Sequence, residues 1–243
     1  MILGVRFYIS DLEGLLGLVP EGGLIVVPSA PVMVRLADDP SHREAMEGAD
    51  FAVTDSGLMV LLWLIRTGER IRRISGVRLL RGLVEAKDFR GRGDTFWIMP
   101  SAGDSEANLA WLRRRGFDVS GDDAYVAPMY PREGPFSDSG LVDLLNARRP
   151  KLIAIGLSGG VQERLGWDLR RRLTYKPAIL CIGGAIAMLS GRQARIPVWA
   201  DWLALGWLFR FLHSPRVFSA KVRGVGRLAP LIWKHGPQSV RAG

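Results

Sequence analysis

Apolar positions fall along this chain in short blocks separated by glycine, proline and acidic residues. Leu24-Ile25-Val26-Val27 is a continuous β-run ended by Pro28 and Pro31, and reads as a strand. Upstream, Phe7 to Leu18 is weakly patterned and fits a short helix. Asp38 to Gly48 carries helix-start signals, with Asp39 as cap and Pro40 at the first position. Phe51-Ala52-Val53 is a second short strand, followed by Thr54-Asp55-Ser56-Gly57. Leu58 to Thr67 is apolar on nearly every face, which predicts a buried helix rather than a surface one.

Leu79 to Ala86 reads as helix, and Thr95 to Met99 as a strand ending at Pro100. Ala102-Gly103-Asp104 leads into a helix to Arg115 that Gly116 closes. Gly121 to Gly140 is rich in Gly, Pro and Asp and should be mostly loop, and Leu141 to Asn146 is a helix feeding the next strand. That strand lies in the stretch Lys151 to Arg164, an apolar run that loosens through Gly156, Ser158, Gly159 and Gly160 into a helix reaching about Leu173. Pro177 to Ile182 is a further buried strand, with Gly183-Gly184 after it. The repeated strand, loop, helix order predicts an α/β fold with a mostly parallel sheet flanked by helices.

Open α/β sheets bind ligands beyond the carboxyl ends of their strands, which directs attention to two junctions. At the first, Asp55 is either a general base for a hydroxyl nucleophile or a plain helix N-cap. At the second, Gln162 and Glu163 fall in or near the first turn of a helix, as site residues or as solvated polar groups. Arg70, Arg72, Arg73 and Arg78 punctuate a basic loop that suits phosphate or water.

Composition narrows the partners. With 243 residues, 48% hydrophobic and 23% charged, the chain is long and apolar enough for a sizeable core. A net charge of +9 favours polyanions: nucleic acid, anionic headgroups or phosphorylated small molecules. Acids outnumber bases from Met1 to Asp50, whereas no acid follows Asp201 and Arg210, Arg216, Lys221, Arg223, Arg227, Lys234 and Arg241 do. Trp199, Trp202, Trp207, Phe209 and Phe211 interleave with the first of these. The pattern divides the chain into a core at 1–195 and a basic, tryptophan-rich appendage at 196–243. The appendage suits contact with an anionic membrane, completion of the core, or stacking on single-stranded RNA, though no RNA-binding motif accompanies it.

The single cysteine, Cys181, sits in an apolar run and reads as a buried thiol in a reducing compartment. No signal peptide and no uninterrupted membrane-crossing stretch stands out. A GxGxxG fingerprint after the first strand, a Walker loop, an HExxH pair and a GxSxG elbow are all missing, so no cofactor and no metal is expected.

Three pieces taken together resemble the WecG/TagA/CpsF family of bacterial glycosyltransferases. They are Gly48-Ala49-Asp50 with Thr54-Asp55-Ser56-Gly57 and Arg73-Ile74-Ser75-Gly76; Ile155 to Glu163; and Gly183-Gly184 through Gln193 and Pro197 to Arg210 and Ser214-Pro215-Arg216. The resemblance spans about Ile25 to Lys221. It implies a Rossmann-like transferase that moves an N-acetylated sugar from a UDP donor to a polyprenyl-diphosphate-linked acceptor, with inversion, at the inner face of the cell membrane. It also implies Asp55 as base, with Arg73 and Gln162 in the active site and no metal. Thr54, Gly57, Gly156, Ser158, Glu163 and Gly184 then fall at the substrate-binding turns, and Arg210 and Arg216 in an appendage that closes over substrate. A homo-oligomer is compatible with this reading, and nucleic acid is not an expected partner.

The sequence also departs from the family pattern. Ser29 stands where asparagine is usual, Gly160-Val161 where Pro-Lys is, Arg78 where an aspartate is, Pro100-Ser101 where a glycine pair is, and Gly206 where a glutamate is. These changes of charge near the expected site favour an altered specificity. They also keep a second reading in view, a noncatalytic nucleotide-sugar or lipid-diphosphate binding module on the same fold.

Overall fold

Among the described residues, seven parallel strands in the order β1-β3-β2-β7-β6-β4-β5 form a sheet with helices on both faces. The computed structural model describes residues 1–86, 88–193 and 224–240. Arg210, Arg216 and the tryptophan-rich run before them lie outside the described residues. In chain order the strands are β1 (Phe7–Tyr8), β2 (Gly23–Val26), β3 (Phe51–Val53), β4 (Thr95–Met99), β5 (Ala124–Val126), β6 (Leu152–Ile155) and β7 (Ala178–Cys181).

Side-chain alternation along the strands builds two cores. Leu24, Val26, Phe96, Ile98, Ile153, Ile155, Ile179 and Cys181 face one side, and Ile25, Trp97, Met99, Leu152, Ala154 and Leu180 face the other. The first side is covered by α2 (Ala30–Val34), α3 (Pro40–Glu47), α4 (Gly57–Thr67), α7 (Ser139–Arg148) and α8 (Val161–Arg172). The second is covered by α1 (Leu12–Leu18), α5 (Gly76–Glu85), α6 (Ala102–Arg114) and α9 (Ala185–Ser190). Helices α8 and α9, which follow the neighbouring strands β6 and β7, therefore leave to opposite faces. That divergence opens a crevice at the strands' carboxyl ends.

Edge strands β1 and β5 were not legible as strands. Each is two or three residues long and none of β5 is fully buried, so neither has the apolar run of a central strand. Helix α5 starts at Gly76, three residues before the apolar pattern begins, because the Ser75 hydroxyl accepts the Arg78 backbone N–H and caps it.

The expectation of an all-round buried helix after Asp55 is corrected. Only Met59 and Trp63 of α4 are buried, and Leu58, Leu61 and Ile65 are 40%, 52% and 62% exposed. A single face of the helix meets the sheet, so residues one turn apart on the far side stay outside whatever their hydropathy.

Residues 224–240 return to the body. Helix α10 (Leu228–His235) buries Leu228 and Ile232 in the first core, and Val240 joins them. The Leu3 backbone N–H donates to the Gly236 carbonyl at 2.7 Å, and Arg227 grips Asp38 through two hydrogen bonds of 2.7 and 2.8 Å.

Candidate functional site

Thr54 and Asp55 leave the carboxyl end of β3 and make hydrogen bonds to the segment before α5 and to its first residue. The buried Thr54 hydroxyl donates to the Arg72 carbonyl at 2.6 Å and accepts from the Ile74 backbone N–H at 3.2 Å. Arg73 Nε donates to the Asp55 carbonyl at 2.8 Å. The Asp55 carboxylate Oδ1 accepts from the Gly76 backbone N–H at 3.0 Å. Helix α4, which begins at Gly57, is capped instead by the Ser56 hydroxyl, which accepts from the Met59 N–H at 3.2 Å. Half-buried Asp55 is thus held at the start of α5, and the N-cap of α4 is Ser56.

At the second junction, Gln162 and Glu163 are buried, which excludes solvated polar residues. Gln162 Oε1 accepts from the Gly183 N–H at 2.7 Å, and its Nε2 donates to Glu163 Oε1 at 2.9 Å. Glu163 Oε2 accepts from the Gly160 N–H at 2.6 Å. One carboxylate and one amide thereby tie the loop after β6 to the loop after β7. The Gly156 N–H is spent on the Ile98 carbonyl at 2.8 Å, Ser158 is exposed, and Gly184 stands at the start of α9.

The two junctions meet across β2. A Cβ on Gly76 would lie 3.0 Å from Val27 Cγ1 and 3.9 Å from Ala185 Cβ, so the start of α5 rests against the ends of β2 and β7. Neighbouring strands lie about 4.8 Å apart, which separates the β3 end from the β7 end by about 10 Å. Thr54, Asp55, Arg73, Gly57, Gly156, Gln162, Glu163 and Gly184 therefore share one end of the sheet.

Sequence reasoning missed the clasp beside this end. Buried Arg164 donates from Nε to the Gly160 carbonyl at 2.7 Å and from its terminal nitrogens to the carbonyls of Pro131 and Gly134. Arg35 donates to the carbonyls of Gly159 and Arg132. Asp138 accepts from Tyr125 and Tyr130 at 2.8 and 2.6 Å, closing the same loop from its other end. Burial pushes the Asp138 carboxyl up, yet these phenols and the Leu141 N–H together hold it below its ordinary value. Burial and the neighbouring Asp138 raise the Tyr130 phenol. Arg164 directly follows the Gln-Glu pair, and that adjacency was the available signal. Among the described residues no three His, Cys, Asp or Glu side chains gather as a metal-ligand set.

An all-parallel α/β domain with an aspartate, an arginine and glycine-ended loops at one end of its sheet belongs to the class that binds a ligand at that end. Residues 1–240 match the glycosyl transferase WecG/TagA/CpsF family, and the chain belongs to that family. Membership makes it a glycosyltransferase in the general sense. No curated protein matches the sequence significantly.

Proposed function

We propose that the chain is an inverting transferase that moves an N-acetylated sugar from a UDP donor to a polyprenyl-diphosphate-linked acceptor in cell-envelope polysaccharide synthesis. The observation that carries this reading is the placement of Asp55. Its carboxylate stands at a strand end, oriented by the Gly76 N–H, where an acceptor hydroxyl can approach. Asp55 takes the hydroxyl proton as the acceptor oxygen bonds to the anomeric carbon. The bond from that carbon to the diphosphate breaks on the opposite face, and its electron pair leaves with UDP.

Stabilising the departing diphosphate falls to Arg73 and to the first N–H groups of α4, which opens at the same end of the sheet. Thr54 and Gly57 hold the turn that presents Asp55. Gln162 and Glu163 set the loops carrying Gly156, Ser158 and Gly184, and so shape the donor pocket. Arg210 and Arg216, outside the described residues, supply charge toward the lipid diphosphate. No helix among the described residues is long and apolar enough to cross a membrane, which fits peripheral attachment at the inner face of the cell membrane.

The test is turnover of UDP-sugars with polyprenyl-diphosphate acceptors in detergent, read as UDP release with a matching glycolipid. Acceptor-dependent release is expected, and Asp55→Asn should lower it by about 100-fold or more while UDP affinity persists. Ligand binding without release across a broad donor panel would reject catalysis in favour of a noncatalytic binding module.

A further inference from the structure

Leu58, Leu61 and Ile65 are one and two turns apart on α4, and all three face water. The helix spans about 16 Å and begins two residues after Asp55. Its single charged residue, Arg66, is exposed in the last turn, and Arg70 and Arg72 are exposed just beyond it against one acid, Glu69. The Glu69 carboxylate accepts a 3.0 Å hydrogen bond from Trp63 Nε1.

Two more exposed apolar groups lie on elements next to β3 and α4. Ile9 is 54% exposed just past the end of β1, the strand paired with β3. Trp233 is 49% exposed on α10, with exposed Lys234 next to it. The Arg66 guanidinium lies against Gly236 at the end of that helix.

A contiguous strip of large aliphatics rimmed by arginine and tryptophan is unusual on a protein surface unless something covers it. The arginines choose among the candidates. They complement anionic headgroups, and a short helix with an aliphatic outer face and flanking cations has the make-up of an interfacial segment. In a second copy of the chain the same stretch offers a single acid, Glu69, to three arginines, whereas an anionic headgroup layer can pair each of them.

We propose that the outer face of α4 is a membrane-docking surface that seats in the headgroup region of an anionic bilayer. The inference rests on the lipid-linked acceptor proposed above and adds a contact within the α/β body to any made by the appendage. Docking through α4 places Asp55 at the membrane boundary, where a lipid diphosphate presents its sugar.

Cys181 makes a direct test simple. It is fully buried, and burial pushes its thiol well above the ordinary value, so it resists labelling in the native protein. Full-length Leu61→Cys and, on the opposite face of the sheet, Arg113→Cys are each labelled with an environment-sensitive fluorophore. They are then mixed with vesicles of phosphatidylcholine alone or with phosphatidylglycerol. A blue shift for the Leu61 label with anionic vesicles, quenched by lipids carrying a shallow spin label and absent for Arg113, is expected.

In parallel, Leu61→Ser/Ile65→Ser should weaken co-sedimentation with anionic vesicles about tenfold. It should keep the wild-type melting temperature and turnover in detergent. An unshifted Leu61 label or undiminished vesicle binding overturns the proposal, as does a blue shift that tracks protein concentration without lipid, which would mark self-association. Failure of turnover in detergent by the wild-type chain would instead reject the catalytic reading and leave the vesicle result standing.

Discussion

Asp55 and Gly76, twenty-one positions apart, are joined by a 3.0 Å hydrogen bond from the Gly76 backbone N–H to the Asp55 carboxylate. The bond ties the end of β3 to the first residue of α5. It uses an N–H that a helix start leaves without an intrahelical partner, so the proposed base is oriented without depleting any other structure. Ser56 and Ser75 do the capping on either side, each followed by a glycine that begins a helix.

The close approach at Gly76 makes it a sensitive probe. A methyl group there would press on Val27 Cγ1 at 3.0 Å, a contact that a small shift relieves. Gly76→Ala is expected to fold with near-native stability. Gly76→Val adds two more carbons against Val27 and Ala185, and should cost about 1–3 kcal/mol as overpacking. Urea denaturation reads the stability, and a larger loss of turnover than of stability in Gly76→Val would show the carboxylate displaced.

Glu163 gives a second prediction. It is fully buried and its two oxygens serve the Gly160 N–H and the Gln162 amide. Glu163→Ala strands both donors and should cost about 2–3 kcal/mol. Glu163→Gln keeps the shape but must turn its NH2 toward one of those donors, so it should rescue only part of the loss. Equal stability of all three proteins in chemical denaturation would show that the loops do not depend on this residue.

Central strands, the capped helix α3 and the position of Asp55 were legible in the sequence because each has a local cause. Ile153-Ala154-Ile155 is apolar on both faces, Asp39-Pro40 is a strong start signal, and Asp55 follows a strand. What was illegible depends on distant neighbours. The partner of Asp55 comes from a helix two elements away, and β1 is a strand only because β3 lies beside it. Likewise nothing in Leu58 to Thr67 tells which turns meet the sheet, and the arginine at 164 gains its meaning from a loop thirty residues earlier.

His42 should make stability depend on pH. The ring is fully buried, donating from Nε2 to the Val32 carbonyl at 3.0 Å, and its Nδ1 has no hydrogen-bond partner. Burial lowers its pKa below the ordinary 6.5, against an opposing pull from Glu163. Protonation therefore favours the unfolded chain. Stability should be full above about pH 6.5 and fall as the medium is acidified toward the folded-state value, with a slope approaching about 1.4 kcal/mol per pH unit for one proton. His42→Gln, which can still donate to Val32, should flatten that part of the profile, and an unchanged slope between pH 6.5 and 5 would remove His42 as the cause.

Arg164 tests whether the clasp beside the site needs the guanidinium or only a positive charge. Its nitrogens reach the carbonyls of Gly160, Pro131 and Gly134, a set that spans two loops and that a single ammonium cannot match in geometry. The group is buried beside Asp39 at 3.9 Å, and its cation stands 5.0 Å from the Phe136 ring. Arg164→Lys keeps the charge and loses the fork, leaving at least one buried carbonyl unmatched at about 1–3 kcal/mol. The segment from Pro131 to Gly134 should then loosen, and limited proteolysis should cut it faster in Arg164→Lys than in wild type. Because the same side chain holds the Gly160 carbonyl, donor affinity should weaken along with it. A lysine variant that resists cleavage like wild type would show that charge alone holds the loop.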